Sequence, residues 1–105
     1  MKNGLTMMRE VVISDVVQEK IAALESFLKN ELGLSKKAAS KRCDRIDEFL
    51  LALGRPADYP PCRFKRWKPL GYRCAVFEKT WIFAYEIFNG GVIVRDMSHT
   101  SMLSE

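Results

Sequence analysis

The apolar residues in the first half of the chain recur at helical spacing in two separate runs. The first run follows Ser14 or Asp15, either of which can cap a helix, and it ends at Gly33. Ser35 caps the second run, which ends at Gly54. The apolar positions are Val17, Ile21, Leu24 and Leu28 in the first run and Ala39, Cys43, Ile46, Leu50 and Leu53 in the second. Two amphipathic helices joined by a short turn predict a helical hairpin that buries one face of each helix.

The spacing of apolar residues outside these runs is typical of strands. Residues 9–14 precede the helices as a β-branched run. Three further runs follow the helices, at residues 72–77, 81–88 and 92–97. The "NGG" stretch at residues 89–91 supplies the positive φ angles of a hairpin turn. The last three strands are predicted to pair as a meander, and the first can add to an edge of it.

The predicted fold is therefore α+β, in the order β-α-α-β-β-β. The sheet is predicted to be antiparallel, with the helical hairpin on one face, because the apolar stripes of the helices have no other surface to cover. The opposite face is predicted to have no cover from this chain. All 105 residues are predicted to form one domain, with residues 1–8 as a flexible leader.

The apolar content and the cysteines favour a cytoplasmic protein. No apolar stretch approaches the roughly 18 residues of a membrane helix, and "MKNGLTMMRE" lacks the apolar core of a secretory signal. The three cysteines are separated by 19 and 12 residues, which matches no zinc-binding pattern. Cys43 and Cys74 are predicted to be buried thiols, and Cys62 a loop thiol. We predict no metal site and no cofactor.

The formal net charge of +4 comes from one short stretch of the chain. Residues 55–73 carry six basic and one acidic side chains. Four prolines make residues 55–71 a loop, which we call the basic loop. Phe64 and Trp67 lie between its cations, so they either stack on RNA bases beside phosphate contacts or anchor the loop to the core. The residues predicted to bind RNA or a partner are Arg63, Lys65, Arg66, Trp67 and Lys68.

Strict alternation along the strands predicts that further cationic side chains share the uncovered face with the cations of the basic loop. Val92 and Val94 suit the helix side, which leaves Arg95 and His99 on the other side of the same strand. Arg73 is predicted to join them from a neighbouring strand, because the residues on either side of it suit the core. His99 is then either a polar residue at a strand end or a general acid or base held beside two guanidinium groups.

The end of the chain has the features of a known family. The segment "GYRCAVFEKTWIFAYEIFNGGVIVRDMSHTSM" contains a strand, an apolar central strand, a hairpin and a histidine ending. It is similar to the RelE/ParE superfamily, the toxins of bacterial type II toxin–antitoxin (plasmid stabilisation) modules. The resemblance in element order extends from about residue 9 to residue 102. It implies the same β-α-α-β-β-β fold and a cognate antitoxin that wraps the sheet and helices.

The resemblance also implies two alternative activities. One is ribosome-dependent cleavage of messenger RNA without a metal, in which His99 acts as acid or base while Arg73 and Arg95 hold the phosphate. The other is non-enzymatic inhibition of DNA gyrase. Arg73 matches a basic position of the nucleolytic branch, but Ile82 and Met102 stand where that branch often has arginines. An attenuated, antitoxin-binding member of the superfamily and a small interaction module without toxicity remain further alternatives.

Overall fold

The computed structural model of the protein describes residues 8–103, so most of the predicted leader lies outside the described residues. Strand β1 spans Val11–Ile13, helix α1 spans Asp15–Asn30 and helix α2 spans Lys36–Leu51. Strands β2, β3 and β4 span Arg73–Phe77, Trp81–Phe88 and Gly91–His99. Short 3-10 turns cover Ala52–Gly54, Lys68–Leu70 and Thr100–Met102. The predicted α+β class and element order are confirmed.

The four strands form one sheet in the order β1-β4-β3-β2. Strands β2, β3 and β4 are an antiparallel meander, as the sequence predicts. Strand β1 pairs with β4 in parallel, so the prediction of a wholly antiparallel sheet is wrong in this one pairing. Because two helices connect β1 to the meander, the chain can enter the meander in either direction relative to β1. The spacing of apolar residues does not depend on that direction, so it cannot predict whether β1 and β4 pair in parallel.

The helical hairpin packs on one face of the sheet, which we call the helix face. The side chain of Ser14 accepts a hydrogen bond from the N–H of Val17, and Ser35 caps α2 in the same way. The predicted stripes are buried or partly buried, and the core on this side combines them with inward-facing strand residues. Its largest fully buried side chains are Val17, Ile46, Leu50, Phe83, Tyr85, Val92, Val94 and Met97.

The opposite face of the sheet, which we call the loop face, is covered in part by the basic loop. Trp67 is 1% exposed and lies in a second apolar cluster with Cys62, Ile82 and Ala84. The prediction that this face has no cover is therefore wrong. Prolines exclude regular structure from the loop, but they do not prevent it from packing on the sheet.

Two hairpin turns use the left-handed backbone conformation. Asn89 and Gly90 both have positive φ, which confirms the predicted turn between β3 and β4. Glu78 and Lys79 also have positive φ, at 48° and 63°, in the turn between β2 and β3. Neither of these residues is a glycine or an asparagine, so this second turn adopts its conformation at a cost in free energy.

Gly54 allows the N-terminal segment to pack against the end of α2. A Cβ atom at this position would lie 2.5 Å from the carbonyl oxygen of Arg9. The N–H of Arg9 donates to the carbonyl of Gly54 at 2.8 Å, so the two backbones are in direct contact. This contact places β1 beside β4 and leaves the basic loop to begin at the same edge of the molecule.

Candidate functional site

Arg73 and His99 both lie on the helix face, but far from each other. Arg73 is opposite Tyr85 and His99 is opposite Trp81, and opposed residues of an antiparallel pair share a face. The two side chains belong to strands on either side of β3. Two strand spacings across the sheet and four residues along it separate their backbones by roughly 16 Å. They therefore cannot hold one phosphate together.

Arg95 lies on the other face of the sheet. The consecutive residues Ala84 and Tyr85 of β3 pair with Asp96 and Val94 of β4, so the residue between these two in β4 has no pairing partner in β3. Arg95 is thus the extra residue of a β-bulge, and its guanidinium forms a 3.0 Å ion pair with Glu86.

The three residues predicted to be catalytic therefore do not form one cluster, and the prediction that they share the uncovered face is wrong. The bulge is the physical reason for the error in β4. It shifts the alternation by one residue, so that Met97 and His99 lie on the same face as Val92 and Val94.

Arg73 takes part in a structural cluster at the start of the basic loop. Its guanidinium donates to the carbonyl of Tyr59 at 2.7 Å. The buried hydroxyl of Tyr85 accepts from the N–H of Tyr59 and donates to Asp58. Arg9 donates to Asp58 at 2.6 Å, and this hydrogen bond lowers the pKa of that carboxyl. The cluster fixes residues 58 and 59 against β3, which explains why Arg73 points to the helix side.

Trp67 anchors the basic loop and has no surface available for an RNA base. Its indole N–H donates to Asp96 at 3.1 Å, and Phe64 packs against it edge-on with ring centroids 6.1 Å apart. Of the two alternatives for these aromatic residues, the structure shows anchoring for Trp67, whose buried ring has no exposed face on which an RNA base could stack. A tryptophan between prolines was the signal for such an anchor, because a buried indole contributes a large apolar area.

The cations around this anchor are exposed, as predicted. Four cationic side chains of the loop are exposed to solvent: Arg63, Lys65, Arg66 and Lys68. Because Trp67 and the backbone hold the loop on the sheet, these cations extend from a fixed base. The structure thus separates the two parts of the predicted binding motif: the cations face solvent, and the aromatic side chain faces the core.

Cys62 and Cys74 form a disulfide bond, which the sequence analysis did not predict. Their Cα atoms are 4.9 Å apart, because residues 60–62 pair with residues 72–74 at the edge of β2. The prediction of two separate thiols was wrong, since the proline-rich segment returns to the sheet. Cys43 is free and buried, as predicted. Burial, followed by the charges of Glu25 and Asp47, raises the pKa of its thiol.

An apolar groove of about 610 Å³ opens between α1 and the end of β4. Phe27 is 48% exposed and Met102 is 71% exposed, and both line it. His99 also lines it, with its ring edge-on to Trp81 at a centroid distance of 5.3 Å. The remaining walls are formed by Lys20, Ala23, Leu24, Met97 and Ser98. The apolar spacing of the sequence does not predict this groove, although Phe27 is a signal for it, because this large apolar residue lies off the apolar stripe of α1.

Asp96 connects the groove to the basic loop. Its carboxylate accepts from the ammonium of Lys20 at 2.7 Å and from the indole of Trp67. Burial acts to raise the pKa of Asp96, but the hydrogen bonds from Lys20, Trp67 and the N–H of Met97 outweigh it, so the pKa is lowered. Lys20 lines the groove, but its ion pair with Asp96 neutralises the charge of its ammonium group. The surface of the groove is therefore predominantly apolar.

No protein-family model matches the chain, and no curated protein is significantly similar to it in sequence. Within residues 8–103, no three His, Cys, Asp or Glu side chains are arranged to hold a metal ion. Neither helix in the described part of the chain is long and apolar enough to cross a membrane. The apolar groove and the cations of the basic loop are two surfaces of residues 8–103 whose chemistry suits binding.

Proposed function

We propose that the protein is the toxin of a type II toxin–antitoxin module and inhibits growth by binding a protein target through the apolar groove. The resemblance of residues 71–102 to the RelE/ParE superfamily supports the toxin class, and the β-α-α-β-β-β order of the fold agrees with it. DNA gyrase is the target that the ParE-like branch of the resemblance implies. A cognate antitoxin neutralises the chain, and the site of action is the cytoplasm.

The exposed apolar surface of the groove is the observation that carries this proposal. Large apolar side chains exposed side by side mark protein contact sites, and buried aromatic anchors contribute most to binding energy at such sites. Phe27 of α1 and Met102 just after β4 both line the groove with about half or more of their surface exposed. A partner side chain seated in the groove would cover apolar surface of both elements.

The separation of Arg73, Arg95 and His99 favours binding over cleavage. RNA cleavage requires cationic groups that converge on one phosphate as its charge develops. Arg73 is hydrogen-bonded to Tyr59 on one face of the sheet, and Arg95 is paired with Glu86 on the other. His99 sits in an apolar groove beside Trp81, where an aromatic side chain of a protein partner fits better than a phosphate.

Expression of two matched variants tests the groove. Phe27→Ser removes an apolar wall of the groove, whereas Val16→Ser removes an equally exposed apolar side chain of the same helix outside the groove. We expect growth arrest with the natural chain and with Val16→Ser, and none with Phe27→Ser. Circular dichroism of the purified variants checks that both are folded. Equal toxicity of the two folded variants would remove the groove from the function.

Purified protein distinguishes the target. We expect the chain to inhibit supercoiling by DNA gyrase while ribosome-bound messenger RNA remains intact. If a short open reading frame that encodes an antitoxin lies next to the gene, its co-expression should restore growth. Absence of growth arrest when the chain is expressed alone would refute the toxin assignment itself.

Ribosome-dependent messenger RNA cleavage is the second proposed function, and the exposed cations of the basic loop favour it. Cations on one loop are suited to contact phosphates along an RNA backbone. The loop would hold the RNA backbone on the loop face, and the strand would pass around the edge of the sheet to bring another phosphate to His99, the acid or base, in the groove. Cleavage that is lost in His99→Ala and in a variant lacking the loop cations supports this function. Cleavage that persists in His99→Ala removes His99 from the chemistry.

A further inference from the structure

The disulfide closes the part of the basic loop that carries most of its cations. Cys62 and Cys74 are 12 residues apart, and Arg63, Lys65, Arg66 and Lys68 lie between them. Cys62 is 4% exposed, whereas Cys74 is only half-buried at the edge of the sheet. The bond therefore fastens the loop at its base, beside strand β2.

Trp67 is a second attachment of the same segment. It packs on Ile82 and Ala84 in the cluster that also contains Cys62, and its indole N–H donates to Asp96, a hydrogen bond that involves neither sulfur atom of the disulfide. Two backbone hydrogen bonds, Cys62 to Tyr72 and Cys74 to Pro60, also remain if the disulfide is broken. Loss of the disulfide consequently leaves a loop that still docks on the sheet but opens more often, rather than an unfolded domain.

We propose that the Cys62–Cys74 disulfide is a redox site that a dithiol reductant opens and that sets how firmly the basic loop is held on the sheet. The proposal rests on the cytoplasmic location given under the proposed function. In that compartment a disulfide is usually transient and serves redox sensing, because glutathione and thioredoxin-type proteins keep thiols reduced. A buried bond between distant secondary-structure elements would be structural, but this one joins a loop to an edge strand.

The reaction balances as two thiol–disulfide exchanges. A thiolate of the dithiol attacks the sulfur of Cys74, which is the more exposed of the two, and the sulfur of Cys62 leaves as a thiolate and takes up a proton. The second thiol of the reductant then attacks the reductant's first sulfur atom, which is bonded to Cys74 in the mixed disulfide. Cys74 leaves and takes up a proton to become a thiol. Two electrons pass to the protein, and the reductant becomes a cyclic disulfide.

The expected effect is confined to the loop. Closing a loop of this length restricts the open state, which corresponds to at most about a 100-fold change in the opening equilibrium. Reduction should therefore raise amide hydrogen exchange in residues 63–71 by up to about 100-fold. Exchange in the helices should not change, because both cysteines pack in the apolar cluster of the loop face, which contains no residue of either helix. The oxidised chain presents its cations on a fixed base, and the reduced chain presents them on a mobile one.

Thiol titration and hydrogen exchange of the full chain test this proposal. The protein incubated with oxidised glutathione should show one reactive thiol after denaturation, from Cys43, and three after treatment of the folded protein with dithiothreitol. Cys74→Ser should show fast exchange in the loop under both conditions, whereas Cys43→Ser should respond to the reductant as the natural chain does. Titration and exchange do not depend on toxicity, so the redox proposal and the toxin proposal can fail separately.

Three results would overturn the redox proposal. One is a disulfide that is reduced only after the protein is unfolded in urea. Another is a bond that does not form in the folded protein with oxidised glutathione. The last is a rate of loop exchange that is the same in the oxidised protein, the reduced protein and Cys74→Ser.

Discussion

Asp96 is the residue that joins the groove, the sheet and the basic loop. It accepts hydrogen bonds from the ammonium of Lys20, from the indole of Trp67 and from the N–H of Met97. The indole donor is buried, whereas the side chain of Lys20 is 44% exposed and can return to water. The bond to Trp67 is therefore the one whose loss costs most, because a buried donor without an acceptor loses its hydration without compensation.

Replacement of Asp96 should consequently loosen the loop. We expect Asp96→Ala to lower the free energy of unfolding by about 1–3 kcal/mol, the usual cost of an unsatisfied buried donor. Glu86→Ala is the control, because it removes an ion pair with Arg95 at the surface, and such pairs contribute about 1 kcal/mol or less. Urea denaturation of the two variants measures the difference. Equal effects would mean that the indole bond does not hold the loop.

The lowered pKa of Asp96 makes this contribution dependent on pH. The pKa of a free aspartate is about 3.9, so the stabilisation is fully present above this value and is lost as the pH falls through the lowered pKa of the folded state. Asp96→Asn cannot titrate at this position. We therefore expect the difference in unfolding free energy between the natural chain and Asp96→Asn to be largest near pH 7 and to shrink below about pH 4. A difference that is constant with pH would contradict this account.

At the scale of elements, the turn between β2 and β3 holds a residue in an unfavourable conformation. Lys79 has a φ of 63°, which costs an ordinary residue about 1 kcal/mol and glycine almost nothing. We expect Lys79→Gly to raise the free energy of unfolding by roughly 0.5–1 kcal/mol. Lys79→Ala removes the same charge without relieving the backbone, so it should give no gain. Thermal unfolding of both variants separates the two effects, and equal melting temperatures would refute the strain.

The elements themselves could be predicted from the sequence, because each depends on local spacing. The helical stripes, the serine caps and the Asn89–Gly90 turn are set by neighbouring residues, and all are present. The candidate site could not be predicted in the same way. Its geometry depends on a bulge at Arg95, on a disulfide across the sheet edge and on a loop that packs through Trp67. These features come from contacts between distant segments, and a periodic pattern does not record them.

Strand β2 shows the physical limit of reasoning from alternation. Cys74 and Ala75 are neighbours on opposite faces, and each packs into an apolar cluster, one under the loop and one under the helices. Both faces of the strand are therefore apolar, so either parity is compatible with a buried strand. The prediction that Arg73 points to the uncovered face assumed that the sheet has a core on one face only. Because a second apolar core lies under the basic loop, Cys74 faces the loop and Arg73 faces the helices.

At the scale of the whole molecule, charge and apolar surface are segregated. The basic loop lies on the loop face, with its cations exposed around a buried tryptophan. The groove lies on the helix face between α1 and the end of β4. One macromolecule cannot readily cover both surfaces from one side. The protein thus offers an apolar contact site and a cationic site that can be altered independently.

Charge reversal in the basic loop tests whether single-stranded RNA binds to the cations of this loop or is attracted by the net charge of the whole protein. Lys65→Glu, Arg66→Glu and Lys68→Glu together remove three exposed cations of the loop, and Lys36→Glu, Lys37→Glu and Lys41→Glu remove three from α2. Both triple variants change the net charge equally. We expect only the loop variant to lose most of the affinity for single-stranded RNA and to flatten its dependence on salt, by about 0.7 in slope per lost phosphate contact. Fluorescence anisotropy at several salt concentrations measures both quantities. If the two variants weaken binding to the same extent, the attraction comes from net charge alone, and the basic loop is not a specific surface.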